Sequence, residues 1–374
     1  MHRGWLERWR GLAQALGPPL VALALAESLL WAGAVRNGED PRNASTWVRW
    51  DSYRYIEIAR GGYLESRDDP EASNTGWFPG FPLVMRLASR AAHVTPARAG
   101  RSAALGFELA LLTLLWNRLL PPVPVARRLL ALLAAACFPA WFYRHAVFPL
   151  SMTTFFNLAA IELAAAGAFV GAGACGALSA FTYPTGFLVA VPLALAAALA
   201  RGRSSLGRLR AAAAGAGLTL LGLGAVFAVL QVGVGRWDAF LVYQQRFGQG
   251  LHSPLEVLLG HTRPLLRGSL EPAALVSSQT VLVTALWLLG AWLLWRDREA
   301  GRPVDLLLLA HGAAVWVFVN GAGPNVSIYR QAAVLVGLAP LVARLRLRAL
   351  VLLLVLLLGL GVGMVQLFFS NQLV

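Results

Sequence analysis

FPGFPLVMRLASRAAHV, residues 78–94, decides how this 374-residue chain is threaded. A crossing helix needs roughly 20 consecutive apolar residues. This stretch is apolar over a shorter distance and carries Arg86 and Arg90. It reads as an amphipathic helix lying in the membrane interface. Every later loop takes its side from that reading.

Working outward, residues 1–10 (MHRGWLERWR) carry Arg3, Arg8 and Arg10 and lead into an apolar run at 12–35. That run is long for a signal-peptide core and is followed by a poor cleavage signal, so it reads as a retained first span with a cytoplasmic N-terminus. Further spans fall at 103–120, 129–143, 147–170, 211–234, 273–295, 304–320, 329–343 and 349–369. Residues 174–200 are interrupted by Thr182, Tyr183, Pro184 and Gly186. They read as two short half-helices meeting at that break.

The arginines test this threading. With 78–94 interfacial and 174–200 a hairpin, four clusters join the N-terminal group on one side. They are Arg118 with Arg127 and Arg128; Arg201, Arg203, Arg208 and Arg210; Arg296, Arg298 and Arg302; and Arg344, Arg346 and Arg348. Positive residues on one side are what cytoplasmic loops require. The expectation is one integral membrane domain over 1–374, all-α and polytopic, with about 11 spans and an external C-terminus. Two long external loops follow, at 36–100 and 235–272, with shorter external tips at 144–149 and 321–330. No internal repeat is strong enough to argue inverted-repeat transport.

Composition agrees. The chain is 57% hydrophobic and 13% charged, against about a quarter charged in soluble domains. The net charge of +14 would suggest nucleic acid in a soluble protein. Here the arginine clusters set topology and meet anionic headgroups, so membrane lipids and no nucleic acid are expected as partners. Cys137 and Cys175 both lie in apolar runs, which predicts no disulfide and no thiolate metal site.

Chemistry is sought where charge stands beside the bilayer, because it is costly there unless used. The densest such stretch is WVRWDSYRYIEIARGGY, residues 47–63, followed by NTGWFPGFP at 74–82. As a helix, the first places Asp51 and Tyr55 on one face with Arg54 a turn from Asp51. A carboxylate held among aromatics near the membrane suits a general base; the competing reading is that Asp51 caps the helix. Glu57 is the next carboxylate. Asp68 and Asp69 are a possible divalent-cation pair that reads more simply as hydrated loop. Trp77, Phe78 and Phe81 fit an interfacial aromatic belt better than a sugar-stacking surface.

Arg330, after GPNVSIY, begins a late span, where it either snorkels to headgroups or neutralises a lipid-linked phosphate. Arg144 with His145, and Arg246 with Gln244 and Gln245, are further binding candidates. His252 and His261 read as loop polar groups rather than metal ligands.

Together, RWDSYRYIEIARGGY (49–63) and WFPGFPLVMRL (77–87) resemble the signature of PIG-V-like, GPI-mannosyltransferase-2-type glycosyltransferases of the GT-C superfamily. Three later stretches agree in order: FPAWFYRHAVFPLS (138–151), LSAFTYPTGFLVAVPL (178–193) and WDAFLVYQQRFGQGLHSP (237–254). The resemblance implies a GT-C-like bundle whose long first external loop carries juxtamembrane helices. It implies a multi-pass plasma-membrane enzyme using a polyprenyl-phosphate sugar, typically mannose, on the extracytoplasmic face, with no cofactor. Asp51 matches the family's catalytic base and Arg330 its late phosphate-binding Arg. The chain departs from the pattern in three places. The family carries a carboxylate near Leu150, Arg at the position of Tyr183 and Trp at that of Phe247.

The expected reaction is an inverting transfer to an unidentified acceptor. Asp51 is the base, and Arg330, with Arg54, Glu57, Tyr55, Arg144, His145, Gln244, Gln245 and Arg246, binds substrate. The alternative is a non-enzymatic lipid or glycolipid transporter, or an inactive scaffold. Intramembrane charge along a pathway would favour transport, and only Glu108 and Glu162 stand out within the apolar segments.

Overall fold

A computed structural model of the chain describes residues 2–66, 72–266, 272–323 and 328–373. The acidic segment 67–71, with Asp68 and Asp69, lies outside the described residues. Among the described residues the fold is all-helical.

The first helix, α1 (His2–Arg36), buries a stripe of Ala22, Ala26, Leu30 and Ala34 at four-residue spacing. That spacing keeps one face toward the bundle. The first long loop then holds α2 (Ser52–Gly61) and α3 (Gly80–Ala92). Helix α3 exposes Leu83 and Leu87 while burying Phe81 and Met85, so it carries one apolar face outward and packs another on the bundle. Its Arg86 donates to the Ile58 and Ala59 carbonyls at 2.7 and 2.8 Å, satisfying the C-terminal end of α2.

Helix α4 (Pro96–Leu114) continues through a π-turn to Leu119, so it begins earlier than the span read at 103–120. Thr95 caps it, accepting from the Arg98 N–H, and Pro96 occupies its first turn. Charged residues hid this start, because Arg101 lies buried in the helix against Glu27 of α1. The segments read at 129–143 and 147–170 divide differently too. They form α5 (Val125–Ala136), the single turn α6 (Trp141–His145) and α7 (Leu150–Ala165). Gly167, at φ +79°, ends α7 with the paired bonds of a Schellman cap: its N–H reaches Ala164 O, and the Ala168 N–H reaches Leu163 O.

The expected hairpin is present, with its first arm starting sooner. It comprises α8 (Phe169–Thr182), the break at Tyr183–Thr185, a 3-10 turn and α9 (Ala190–Leu199). Gly186 makes the turn possible, since a Cβ there would lie 2.1 Å from the Ser179 carbonyl oxygen and 2.4 Å from its carbon. Both obstacles are backbone. Gly186→Ala is therefore expected to destabilise the protein by about 1–3 kcal/mol, read as a lower midpoint of thermal unfolding in detergent. An unchanged midpoint would refute this packing.

Then come α10 (Ser205–Ala212), a π-turn, and α11 (Leu218–Val234). Helix α11 packs tightly on α8: a Cβ on Gly222 would meet the Ala177 backbone, the small-residue seam by which helices pack in lipid. The second long loop holds α12 (Ala239–Gln245) and α13 (Pro254–Leu266). The chain closes with α14 (Pro272–Arg296), α15 (Pro303–Gly321) and α16 (Ile328–Gln331). A 3-10 stretch (Ala332–Leu338) leads to α17 (Ala339–Val342) and α18 (Leu347–Phe369).

Six of the described helices are long and apolar enough to cross a membrane, and shorter apolar helices fill in between them. The protein is a polytopic membrane protein. Several of the arginine clusters gather at one end of the bundle. There Arg128 donates to Trp116 O, the Trp116 indole to Gln14 O, Arg302 to Leu119 O, and Arg344 to Asp305. The first long loop leaves the other end of α1, about 30 Å away at 1.5 Å per residue.

Candidate active site

The site begins with a turn the chain makes under strain. Trp50 has φ +43°, a left-handed conformation that costs a bulky residue about 1–3 kcal/mol. Its indole is held against Tyr143 and Phe368, at 6.0 and 5.2 Å between ring centroids. The turn delivers Asp51 to the start of α2. Asp51 does not cap that helix: its side chain makes no cap hydrogen bond. Instead it accepts from Arg330 Nη1, across 279 residues of sequence.

Arg330 is held from below by aromatics. Its guanidinium carbon lies 5.3 Å from the ring centroids of both Tyr143 and Phe148, a cation–π seat that orients the charge without neutralising it. Among the described residues Arg330 Nε has no hydrogen-bond partner, so Asp51 does not exhaust its donors. Gln331, which sequence reasoning missed, donates to the Tyr183 hydroxyl at 2.8 Å, and Thr185 Oγ1 donates to its amide oxygen at 3.3 Å. The half-helix break is thereby tied to the Arg330 segment. Gln331's only sequence signal was its place beside Arg330.

Asp51 and Arg330 stand in a cavity of about 930 Å³, within the range for sites that hold sizeable ligands. Besides Leu223 and Phe227 of α11 and the Arg330–Gln331 segment, four further parts of the chain enclose it. Tyr55 and Gly76–Phe78 come from the first loop, and Tyr183–Thr185 and Phe187 from the break. Phe240 to His252 of the second loop contribute Tyr243, Gln244, Gln245, Phe247 and Gln249, and Val317–Val319 come from α15. The loops are pinned to each other. Gln244 donates to the Gly76 carbonyl at 3.3 Å, the Trp77 and Tyr243 rings meet at 5.2 Å, and the His252 N–H reaches Gly321 O at 2.9 Å. Among the described lining residues, only Asp51 and Arg330 carry a formal charge. Burial first, then Tyr183 and Asp51, raise the Tyr55 phenol well above its ordinary value, so it stays a neutral hydroxyl.

The other candidates separate clearly. Gln244 and Gln245 line the cavity, whereas Arg246 is exposed beside the Tyr243 ring. Arg54 pairs with Glu57 at 3.0 Å on the outer side of α2 and lies over Trp77; neither residue lines the cavity. Arg144 and His145 point inward, away from it, and are fully buried. Arg144 forms a two-pronged pair with Glu108, and His145 pairs with Glu27. Glu27 is a third carboxylate inside an apolar segment, overlooked because its charge is cancelled only by residues distant in sequence. Glu162 pairs with Arg118. Thus each of the three is tied to a basic side chain. Among the described residues no group of three or more His, Cys, Asp or Glu converges as a metal site would.

The departures from the family pattern now have locations. Leu150 is fully buried at the start of α7, and the Tyr183 hydroxyl accepts from the Gln331 amide. Phe247 lines the cavity with its ring 5.6 Å from Tyr243.

No protein-family profile matches the chain, and no curated protein matches it. Solved structures do. ArnT from Cupriavidus metallidurans, crystallised bound to undecaprenyl phosphate, superposes with a TM-score of 0.53 at 17% identity, over 87% of this chain and 59% of that one. The Archaeoglobus fulgidus oligosaccharyltransferase in its apo form gives 0.51 at 15% identity, over 95% and 56%. The same organism's AglB, in complex with an inhibitory peptide and a dolichol-phosphate, gives 0.50 at 14%, again over 95% and 56%. The chain therefore spans under three fifths of the length of the structures it matches. These neighbours are GT-C superfamily glycosyltransferases, and at such identities the likeness is one of fold.

Proposed function

We propose that the chain is a membrane-embedded glycosyltransferase that takes a sugar, mannose in the first instance, from a polyprenyl-phosphate donor. It passes that sugar to an acceptor hydroxyl on the extracytoplasmic face of the plasma membrane. The observation that carries this reading is the meeting of Asp51 and Arg330 in a cavity otherwise lined by neutral side chains. The fold in which they meet is similar to that of ArnT, seen with undecaprenyl phosphate. The signature at 49–63 and 77–87 supports a PIG-V-like relationship within that broader class.

In this mechanism the lipid phosphate engages Arg330 in place of the Asp51 carboxylate, and Asp51 turns to the acceptor. The acceptor hydroxyl gives its proton to an Asp51 carboxylate oxygen as its own oxygen bonds to the anomeric carbon from the face opposite the phosphate. The bond from that carbon to the phosphate oxygen breaks, and the electron pair leaves with the lipid phosphate, stabilised by the guanidinium. Configuration inverts in the single displacement. Lipid-linked donors bring their own activated bond, so the step draws on no nucleotide.

Gln244, Gln245, Gln249 and Gln331 suit hydroxyl groups of the substrates, since amides both donate and accept. Tyr55 adds a neutral hydroxyl near Asp51. Arg54 and Glu57 on the outer side of α2 and the exposed Arg246 stand outside the cavity, where headgroups or an incoming acceptor can reach them. The test is purified protein with polyprenyl-phosphate-mannose and a panel of acceptors, followed by mass spectrometry. A product heavier by one hexose is expected. Absence of transfer from this and other polyprenyl-phosphate sugars, by protein shown to be folded, would overturn the reading.

A further inference from the structure

We propose that the buried Glu108–Arg144 pair is the positioning element for the Arg330 guanidinium. Both side chains are 0% exposed, so neither touches anything in the cavity. Arg144 nevertheless joins four parts of the bundle. Its Nε and Nη2 donate to the Glu108 carboxylate of α4 at 3.0 and 3.1 Å. Nη2 also donates to Ala135 O, at the end of α5, at 2.7 Å. Nη1 reaches Ala333 O, three residues beyond Arg330, at 3.4 Å. The guanidinium thus fixes where the 3-10 stretch after Arg330 sits.

The neighbouring residue completes the device. Tyr143 places its ring under the Arg330 guanidinium and also against Trp50, the strained residue that precedes Asp51. A shift of α6 would therefore move both partners of the Asp51–Arg330 pair. The far end of α6 is held in the same way. Arg101 donates to the His145 carbonyl and stacks 3.8 Å over Trp47, whose own carbonyl accepts from the Val147 N–H at 3.1 Å. A forked, planar donor suits this place, since its three nitrogens reach separated acceptors in fixed directions, whereas an ammonium has to reach them all from a single nitrogen. That is why a charge pair, costly to bury, stands beneath an aromatic floor.

The inference rests on the proposed function only in naming phosphate as Arg330's ligand; the geometry is testable without substrate. In full-length protein with Cys137 and Cys175 replaced by Ala, Asp51→Cys and Arg330→Cys are joined by a short bifunctional thiol reagent in native membranes. Rapid joining is expected with Arg144 in place, and joining slowed several-fold with Arg144→Lys, which keeps the charge opposite Glu108, or with Glu108→Gln. Equal rates would overturn the proposal. In parallel, binding of undecaprenyl phosphate is measured with Asp51 and Arg330 intact. Arg144→Lys should weaken it about 10-fold or more, as a displacement of roughly an ångström does, and should have no effect in an Arg330→Gln background. Equal weakening in both backgrounds would mark Arg144 as a general structural residue and also overturn the proposal. If the wild-type protein binds no undecaprenyl phosphate while joining still depends on Arg144, the positioning role stands and the proposed donor falls.

Discussion

Asp51→Asn is expected to remove sugar transfer almost completely, by about 10²–10⁴-fold, the usual contribution of a positioned general base. The fold should survive, because Asn keeps the shape of Asp51 and an oxygen that can still accept from Arg330 at the wall of the cavity. The same substitution carries an opposite prediction for binding. In the structure the carboxylate occupies Arg330, so it competes with any phosphate for the guanidinium. Undecaprenyl phosphate should then bind Asp51→Asn at least as tightly as it binds the wild type. Transfer rate and lipid-phosphate affinity, measured on the same preparation, check both parts. Full transfer by Asp51→Asn would sink the assignment of the base. Weaker binding would sink the competition.

Arg330→Gln should lower transfer by about 10²–10³-fold, the scale of losing one preorganised donor to a developing anion. Here both rate and donor affinity fall together, since the guanidinium serves the ground-state phosphate and the leaving group alike. Arg330→Lys should recover only part of the loss. An ammonium carries the charge but lacks the planar face that Tyr143 and Phe148 support at 5.3 Å. Steady-state rate and KM for the donor lipid, taken for both variants, give the measurement. A normal KM with Arg330→Gln would mean that the phosphate is held elsewhere.

The helices and their breaks were legible because they follow from local chemistry. Apolar length announces a crossing, and the Tyr-Pro-Thr-Gly sequence ends one half-helix and starts another whatever surrounds it. Two of the errors fell where a charge interrupts the pattern, and a third at the Gly167 cap between α7 and α8. Helix α4 starts at Pro96, not near 103, because Arg101 is neutralised by Glu27, and that partner lies in a different helix. The segment read as one span at 129–143 is α5 plus a separate turn, α6. Its second piece must turn inward to bring Arg144 to Glu108.

The sequence by itself determined that this is a bundle of apolar helices, that its first loop is rich in chemistry, and that Asp51 and Arg330 were residues to watch. Hydropathy, turn chemistry and a short motif act over a few residues, so they can be read in one dimension. Only the tertiary structure decided which charge meets which. It brought Asp51 to Arg330 at the cavity and drew Arg144 and His145 into the interior, although all four had been read as site residues at the membrane edge. The reason is energetic: a charge leaves water only where a partner is already in place. In this protein those partners come from helices far apart in the chain.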